Sequence, residues 1–242
     1  MMPLSDDNRG RRTVPVVTWV LIALNVLVFL YELTLGEQDL HRFFSDYGVI
    51  PQEISDRQHL WTLLTSMFLH GGWLHLGGNM LFLWIFGDNV EDVMGHVRYL
   101  AFYLLTGAGA GLAQVLANPE STVPTVGASG AISGLLAAYL VCFPHGRILT
   151  GVFFGFLITT IMLPAWMMIG YWFVLQLISG LVSLGPDTAA TGGGVAWWAH
   201  IGGFVVGLVL VIPFRRKDRV AYQRASRQRP DPRASRARMQ RG

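Results

Sequence analysis

Five polar side chains stand in stretches of sequence that are otherwise almost wholly apolar: Asn25, His75, Asn79, Ser129 and His200. A charge at the centre of a membrane helix costs roughly 2.5–3.5 kcal/mol, so a polar group retained there needs a reason. A serine hydroxyl is a poor nucleophile until a neighbouring base takes its proton, and a neutral imidazole with a pKa of about 6.5 suits that task. Ser129 and His200 are therefore the candidate nucleophile and base. Attack on an amide creates an oxyanion that needs hydrogen-bond donors already in place, and His75, Asn79 and the Ser129 backbone N–H can supply them. No acidic residue accompanies His200 in its own apolar run, and Asp88, Glu91 and Asp92 fall at the far end of the run that holds His75. The expected arrangement is a dyad, not a triad.

The elements that must position these groups are membrane helices. Of the 242 residues 52% are hydrophobic and 14% charged, with mean hydropathy +0.43, outside the usual composition of a water-soluble domain. Apolar runs long enough for a hydrocarbon layer of roughly 30 Å occur near 14–35, 74–93, 99–117, 127–143 and 196–213. The run from Ile148 to Leu184 is too long for one upright span and too short for two, and Pro164 divides it. A seventh span would set the basic C-terminus across the membrane from the basic N-terminus, so one span over Ala165–Leu184 is expected, and the course of residues 148–164 stays open.

Six spans put both termini in the cytoplasm. Of 18 Lys and Arg, 11 lie in the last 28 residues, and Arg98 and Arg147 fall in the two other inner loops. The expected organisation is a cytoplasmic tail over 1–13, a membrane domain over 14–214, and a basic, disordered cytoplasmic tail over 215–242, with an attraction to anionic lipid as a secondary effect. The first outer loop, Gly36 to Trp73, mixes Phe43, Phe44, Ile50, Ile54, Leu60 and Trp61 with charges, which predicts short helices in the interface. The single cysteine, Cys142, excludes an internal disulfide. The asymmetric charge concerns membrane orientation and gives no indication of nucleic-acid binding.

In this topology His75 and Asn79, four residues apart on one helix face, Ser129 and His200 all enter from the outer side at similar shallow depth. The motifs Gly130-x-x-x-Gly134 and Gly203-x-x-x-Gly207 let the helices that carry Ser129 and His200 approach closely, with Gly203 and Gly207 on the face of His200. Taken singly, each feature has a plainer reading. Gly127-Ala128-Ser129-Gly130 is also what a packing surface looks like, His200 alone is compatible with a buried structural histidine, and His75 with Asn79 with interhelical polar contacts. Convergence on one depth favours catalysis. Asn25 has no partner in this scheme and is assigned to structural hydrogen bonding. His70 and His75, five apart, suit no metal pair, no His-Glu-x-x-His string occurs, and His70 is expected to anchor the loop before the second span. Gly107 to Gly111 is read as a close-packing surface.

The motifs His75-x-x-x-Asn79, Gly127-Ala-Ser129-Gly130 and Ala199-His200-x-x-Gly203-x-x-x-Gly207, in order on alternate spans, resemble those of the rhomboid intramembrane serine proteases. The likeness extends from the first span to the sixth and includes the stretch Leu63 to Trp73. It implies an all-α, six-transmembrane-helix bundle in which Ser129 attacks, His200 is the base, and His75, Asn79 and backbone N–H groups of Ala128 and Ser129 form the oxyanion hole. It further implies a mobile gate in the fifth span around Trp172 and Phe173, no metal or cofactor, and transmembrane protein substrates with a small residue before the scissile bond. A multi-pass protein of a bacterial plasma (inner) membrane is expected, with the site opening outward; substrate identity and oligomeric state are not encoded.

Two positions depart from the pattern: Thr62 stands after Trp61 where many members carry arginine, and Ser133 stands where an aromatic residue often packs on the catalytic histidine, with Trp197 or Trp198 as substitutes. A catalytically inactive rhomboid-like client-binding protein is the competing class, and its usual mark is loss of the serine or histidine. A transporter would line a path through both leaflets with polar groups, whereas these cluster on one side.

Overall fold

The computed structural model describes residues 1–154, 157–183 and 195–228, with side chains at 153, 154, 157 and 158 left aside. Among the described residues, helices occupy the expected runs: α1 (Val16–Glu32), then, after three short helices α2 (Glu37–Tyr47), α3 (Pro51–Ser55) and α4 (Thr62–Thr65), come α5 (Trp73–Met94), α6 (His96–Ala117) and α7 (Ser129–Cys142). α8 (Ala165–Val182) and α9 (Trp197–Phe214) complete the set, and α10 (Lys217–Gln228) follows. Among the described residues, α6, α8 and α9 are long and apolar enough to cross a membrane by length and composition, and α1 and α7 are shorter apolar helices. α7 is the innermost: most of its 14 residues are buried, including Leu135, Leu136 and Tyr139.

The fold is mostly helical but not all-α. In the stretch 148–164, whose course the sequence left open, the described residues belong to two strands, β2 (Arg147–Phe154) and β3 (Leu157–Pro164), paired antiparallel from Arg147↔Pro164 to Phe154↔Leu157. β1 (Met2–Asp6) adds to the other edge of β2, giving the order β1-β2-β3, with Met2 opposite Gly151 and Asp6 opposite Ile148. The β-branched content of this stretch (Ile148, Thr150, Val152, Ile158, Thr159, Thr160, Ile161) suits a pleated strand better than a helix. Pro164, without an N–H, ends β3 and precedes the first turn of α8.

The expected disorder of the C-terminal segment needs correction over residues 217–228. The end of α5 buries Asp88, Asn89, Glu91 and Asp92, and buried polar groups without partners are costly. The segment before α1 and the first turn of α1 supply those partners. Glu91 accepts from the Val17 and Thr18 backbone N–H at 2.9 and 2.8 Å and from Thr18 Oγ1 at 2.7 Å. Asp92 accepts from the Arg12 and Thr13 N–H at 3.0 and 2.8 Å, and Arg11 pairs with Asp88. From the C-terminal side, Gln223 donates to Asp92 at 2.7 Å and Arg227 to Asn89 at 2.8 Å, while Arg9 donates to the Arg227 carbonyl at 2.9 Å. Residues 217–228 are therefore an ordered helix rather than a disordered tail, because the buried acidic cluster requires their side chains; 229–242, and the loop that carries Asp187, lie outside the described residues.

The long first loop is helical, as its amphipathic pattern predicts, and Thr65 Oγ1 donates to the Tyr47 carbonyl at 2.7 Å to tie α4 to α2. Thr62, the first departure from the family pattern, is buried, and the neighbouring Trp61 ring packs on His59 with centroids 4.7 Å apart. Asn25 is fully buried and donates to the Leu21 carbonyl at 2.7 Å, a contact within its own helix. In the Gly107–Gly111 surface, a Cβ on Gly109 would come 2.9 Å from Val206 of α9, the close packing expected there.

Candidate active site

Ser129 is the first residue of α7, so the N–H groups of its first turn have no carbonyl one turn earlier to bond. No side chain caps them, and together with the positive end of the helix dipole they form a donor cluster beside the hydroxyl. His200 lies in the first turn of α9. The two meet: His200 Nε2 is 2.8 Å from Ser129 Oγ.

The glycine motifs are what permits this. A Cβ on Gly207 would come 2.6 Å from Gly134 Cα, and one on Gly203 would overlap the Gly130 carbonyl, so the backbones of α7 and α9 are in direct contact on the face that bears His200. In the second departure from the family pattern, Ser133 turns its hydroxyl into its own helix, donating to the Ser129 carbonyl at 2.7 Å. The aromatic contacts to the imidazole come from elsewhere. Trp197 meets it edge-on, with centroids 6.2 Å apart and planes at 90°, and Trp172 of α8 lies 6.1 Å away at 38°. Trp197 is one of the two substitutes expected; Trp172 was expected only as part of a gate. Its neighbour Phe173 stacks on Phe204 of α9 at 4.3 Å.

His75 and Asn79 project from α5 toward the loop before Ser129. Gly127 has φ +125°, a region that L side chains rarely adopt, and a Cβ there would come 2.6 Å from His75 Nε2 and 3.7 Å from Asn79 Nδ2. The loop is held by the Gly127 N–H donating to the Ser66 carbonyl at 2.8 Å. His75 Nδ1 accepts the Gly71 N–H at 3.3 Å, which leaves the proton of the neutral ring on Nε2, facing Gly127. The Asn79 side-chain amide bonds His70 Nε2 at 3.0 Å, and the His70 N–H donates to the Glu32 carboxylate at 3.2 Å. His70 therefore anchors the loop, as expected, and also holds Asn79 in place. Burial, with a smaller effect of neighbouring His75, pushes the His70 imidazole down to about 4, so the ring is neutral near pH 7.

These groups line one cavity of about 1450 Å³, bounded by α5, α6, α7, α8 and the start of α9. Ser129, His200, His75 and Asn79 all open onto it. One contact escaped the sequence reading. Gln176 of α8, 6% exposed, places its Oε1 2.7 Å from His200 Nδ1. A signal was present, since Gln176 is an uncharged polar residue inside an apolar run, which is the criterion that singled out the other five. Gln114 of α6 also reaches the start of α9, where its Oε1 accepts the Ala199 N–H at 3.3 Å.

The chain matches the model of the Rhomboid domain over residues 57–217. It is 36% identical to Rhomboid protease GluP of Bacillus subtilis over 127 residues, 52% of this chain and 24% of that protein. Rhomboid-like protein 11, chloroplastic, of Arabidopsis thaliana is 29% identical over 211 residues, 85% of this chain and 68% of the relative. The human Presenilin-associated rhomboid-like protein, mitochondrial, is 31% identical over 148 residues, 60% and 36% of the two chains. Apart from the chloroplastic relative, the chain spans well under half the length of these curated proteins.

Proposed function

The chain belongs to the rhomboid family, and from that premise we propose that it is an intramembrane serine endopeptidase that cleaves the transmembrane or juxtamembrane segments of other membrane proteins. The observation that carries the reading is the 2.8 Å contact between Ser129 Oγ and His200 Nε2, made by two different helices at the wall of a shared cavity.

In the reaction, His200 Nε2 takes the Ser129 proton as Oγ attacks the substrate carbonyl carbon. The carbonyl oxygen becomes an oxyanion beside the His75 Nε2–H, the Asn79 amide and the N–H groups of Ala128 and Ser129. The imidazolium then gives its proton to the leaving amine, and the C–N bond breaks to leave an acyl-serine. Water, deprotonated by His200, releases the acid and restores the hydroxyl. Fixed donors of this kind are worth about 100- to 1000-fold each in turnover. A cavity of about 1450 Å³ accommodates a stretch of unwound polypeptide and the hydrolytic water, which suits a substrate helix that opens easily at the cut.

We read α1, α5, α6, α7, α8 and α9 as six spans with both termini in the cytoplasm and the cavity facing outward, in a bacterial inner membrane. In this reading α8, with Trp172 and Phe173, is the gate that admits substrate sideways from lipid. No cofactor is called for. The competing function, an inactive client-binding protein, loses support because both members of the dyad are present and in contact.

The test is cleavage of a single-span substrate by purified protein in liposomes, with Ser129→Ala alongside. Cleavage that the substitution abolishes supports the protease. Folded wild-type protein that cleaves none of several substrates, yet retains them on co-purification, favours client binding.

A further inference from the structure

The Ser129–His200 pair leaves one imidazole nitrogen to be accounted for. Gln176, which faces it, has its own orientation fixed by a second bond: its Nε2 donates to the Trp172 backbone carbonyl at 3.3 Å. A carbonyl only accepts, so the NH₂ group must point at Trp172, and the side-chain oxygen must point at His200 Nδ1, 2.7 Å away. An amide oxygen cannot donate. The proton of the neutral ring therefore sits on Nδ1, and the lone pair of Nε2 faces Ser129 Oγ.

We infer that Gln176 is a positioning residue that holds His200 in the Nδ1–H tautomer, and that the dyad is consequently a three-helix device whose competence depends on where α8 stands. This inference rests on the reading of Ser129 and His200 as nucleophile and base. The opposite tautomer would present an N–H to the serine and could not take its proton. Ser129, His200, the Gln176 amide and the Trp172 carbonyl form one directed chain of hydrogen bonds, in which each group donates to the next, begun on α7, passed through α9 and ended on α8. Trp172 contributes twice, through its carbonyl to Gln176 and through its ring to the imidazole face. A shift of α8 by about 1 Å would stretch the 2.7 Å contact beyond hydrogen-bonding range and release the ring to either tautomer. Because the partner is an uncharged amide and not a carboxylate, it selects the tautomer without supplying a counter-charge to the imidazolium.

The test uses full-length protein in detergent and a fluorophosphonate, which reports the reactivity of the serine without any requirement for a substrate helix. Labelling of wild type that is lost in Ser129→Ala establishes the nucleophile; no labelling of folded wild type overturns the protease reading itself. Given wild-type labelling, Gln176→Met is expected to react about 10- to 100-fold more slowly, less than the about 100- to 10,000-fold that a general base supplies, because the base itself stays. Gln176→Glu, which keeps an accepting oxygen, is expected to restore most of that rate. A Met variant as reactive as wild type overturns the positioning role. Should the Met variant fail to fold, ¹⁵N spectra of wild type decide: the histidine signal lost in His200→Ala must show a protonated Nδ1, and a protonated Nε2 overturns the inference.

Discussion

The contact between α7 and α9 can be probed by a single methyl group. In Gly207→Ala the new Cβ would sit 2.6 Å from Gly134 Cα, 2.7 Å from its oxygen and 3.0 Å from its carbonyl carbon. All three are backbone atoms that cannot swing aside, and ordinary contact begins near 3.4 Å, so the helices must part by close to 1 Å. Overpacking of this kind costs about 1–3 kcal/mol. Gly207 is seven residues below His200, two turns or about 10 Å along the axis, so part of the separation reaches the dyad. A 2.8 Å hydrogen bond lengthened by even half that amount leaves the range in which proton transfer is efficient. A misplacement of about 1 Å costs on the order of 100-fold in rate. The expected result is a turnover on a single-span substrate reduced by about that factor, with a small change in KM and a lower unfolding midpoint. Gly170→Ala is the control, since a Cβ there meets nothing within 4 Å. Wild-type turnover in Gly207→Ala, with the control equally active, would show that backbone contact between these helices does not set the dyad geometry.

Gly127→Ala places a side chain on a φ of +125° and 2.6 Å from His75 Nε2, so turnover is expected to fall at least about tenfold while the unfolding midpoint drops, as thermal denaturation and cleavage assays would show. Asn79→Ala should lower kcat by about 100- to 1000-fold with KM nearly unchanged, the signature of a contact made in the transition state, measured in steady-state cleavage. Burial, reinforced by neighbouring Asp88, raises the Asp6 carboxyl from 3.8 to about 7, so the folded protein holds a proton there that the unfolded chain has lost. Linkage then requires stability to fall as pH rises from about 4 to about 7 and to level off above, and Asp6→Asn should flatten that part of the midpoint-against-pH curve. An unchanged slope in the variant would assign the dependence to other groups.

That Ser129, His200, His75 and Asn79 would converge was legible because hydrocarbon excludes polar side chains and the sequence retains these few. Gln176 carried the same signal and was passed over, since a lone amide in an apolar run suggests no chemistry until the histidine it faces is known. The mostly helical fold, with helices at the apolar runs, was readable from run lengths. The sheet was not, because hydropathy in residues 148–164 is high enough to hide an alternation of faces, and because the pairing of β1 with β2 joins segments far apart in the chain. The order of the two termini had a similar origin. Glu91 and Asp92, placed by the sequence at the far end of the run that holds His75, are buried, at 0% and 1% exposure. Burial of those carboxylates commits Arg12, Thr13 and Gln223 to meet them, a demand visible only once the surrounding helices are in place.

The pairing of the first strand also fixes an order of assembly. Met2 meets Gly151, Asp6 receives the Tyr139 hydroxyl, and Arg9 reaches the carbonyl of Arg227. During synthesis β1 cannot pair until β2 has been made, and the contact of Arg9 waits for residue 227. Docking of this segment is thus completed only after α10 has been made, and it acts as a clasp across β2, α7 and α10.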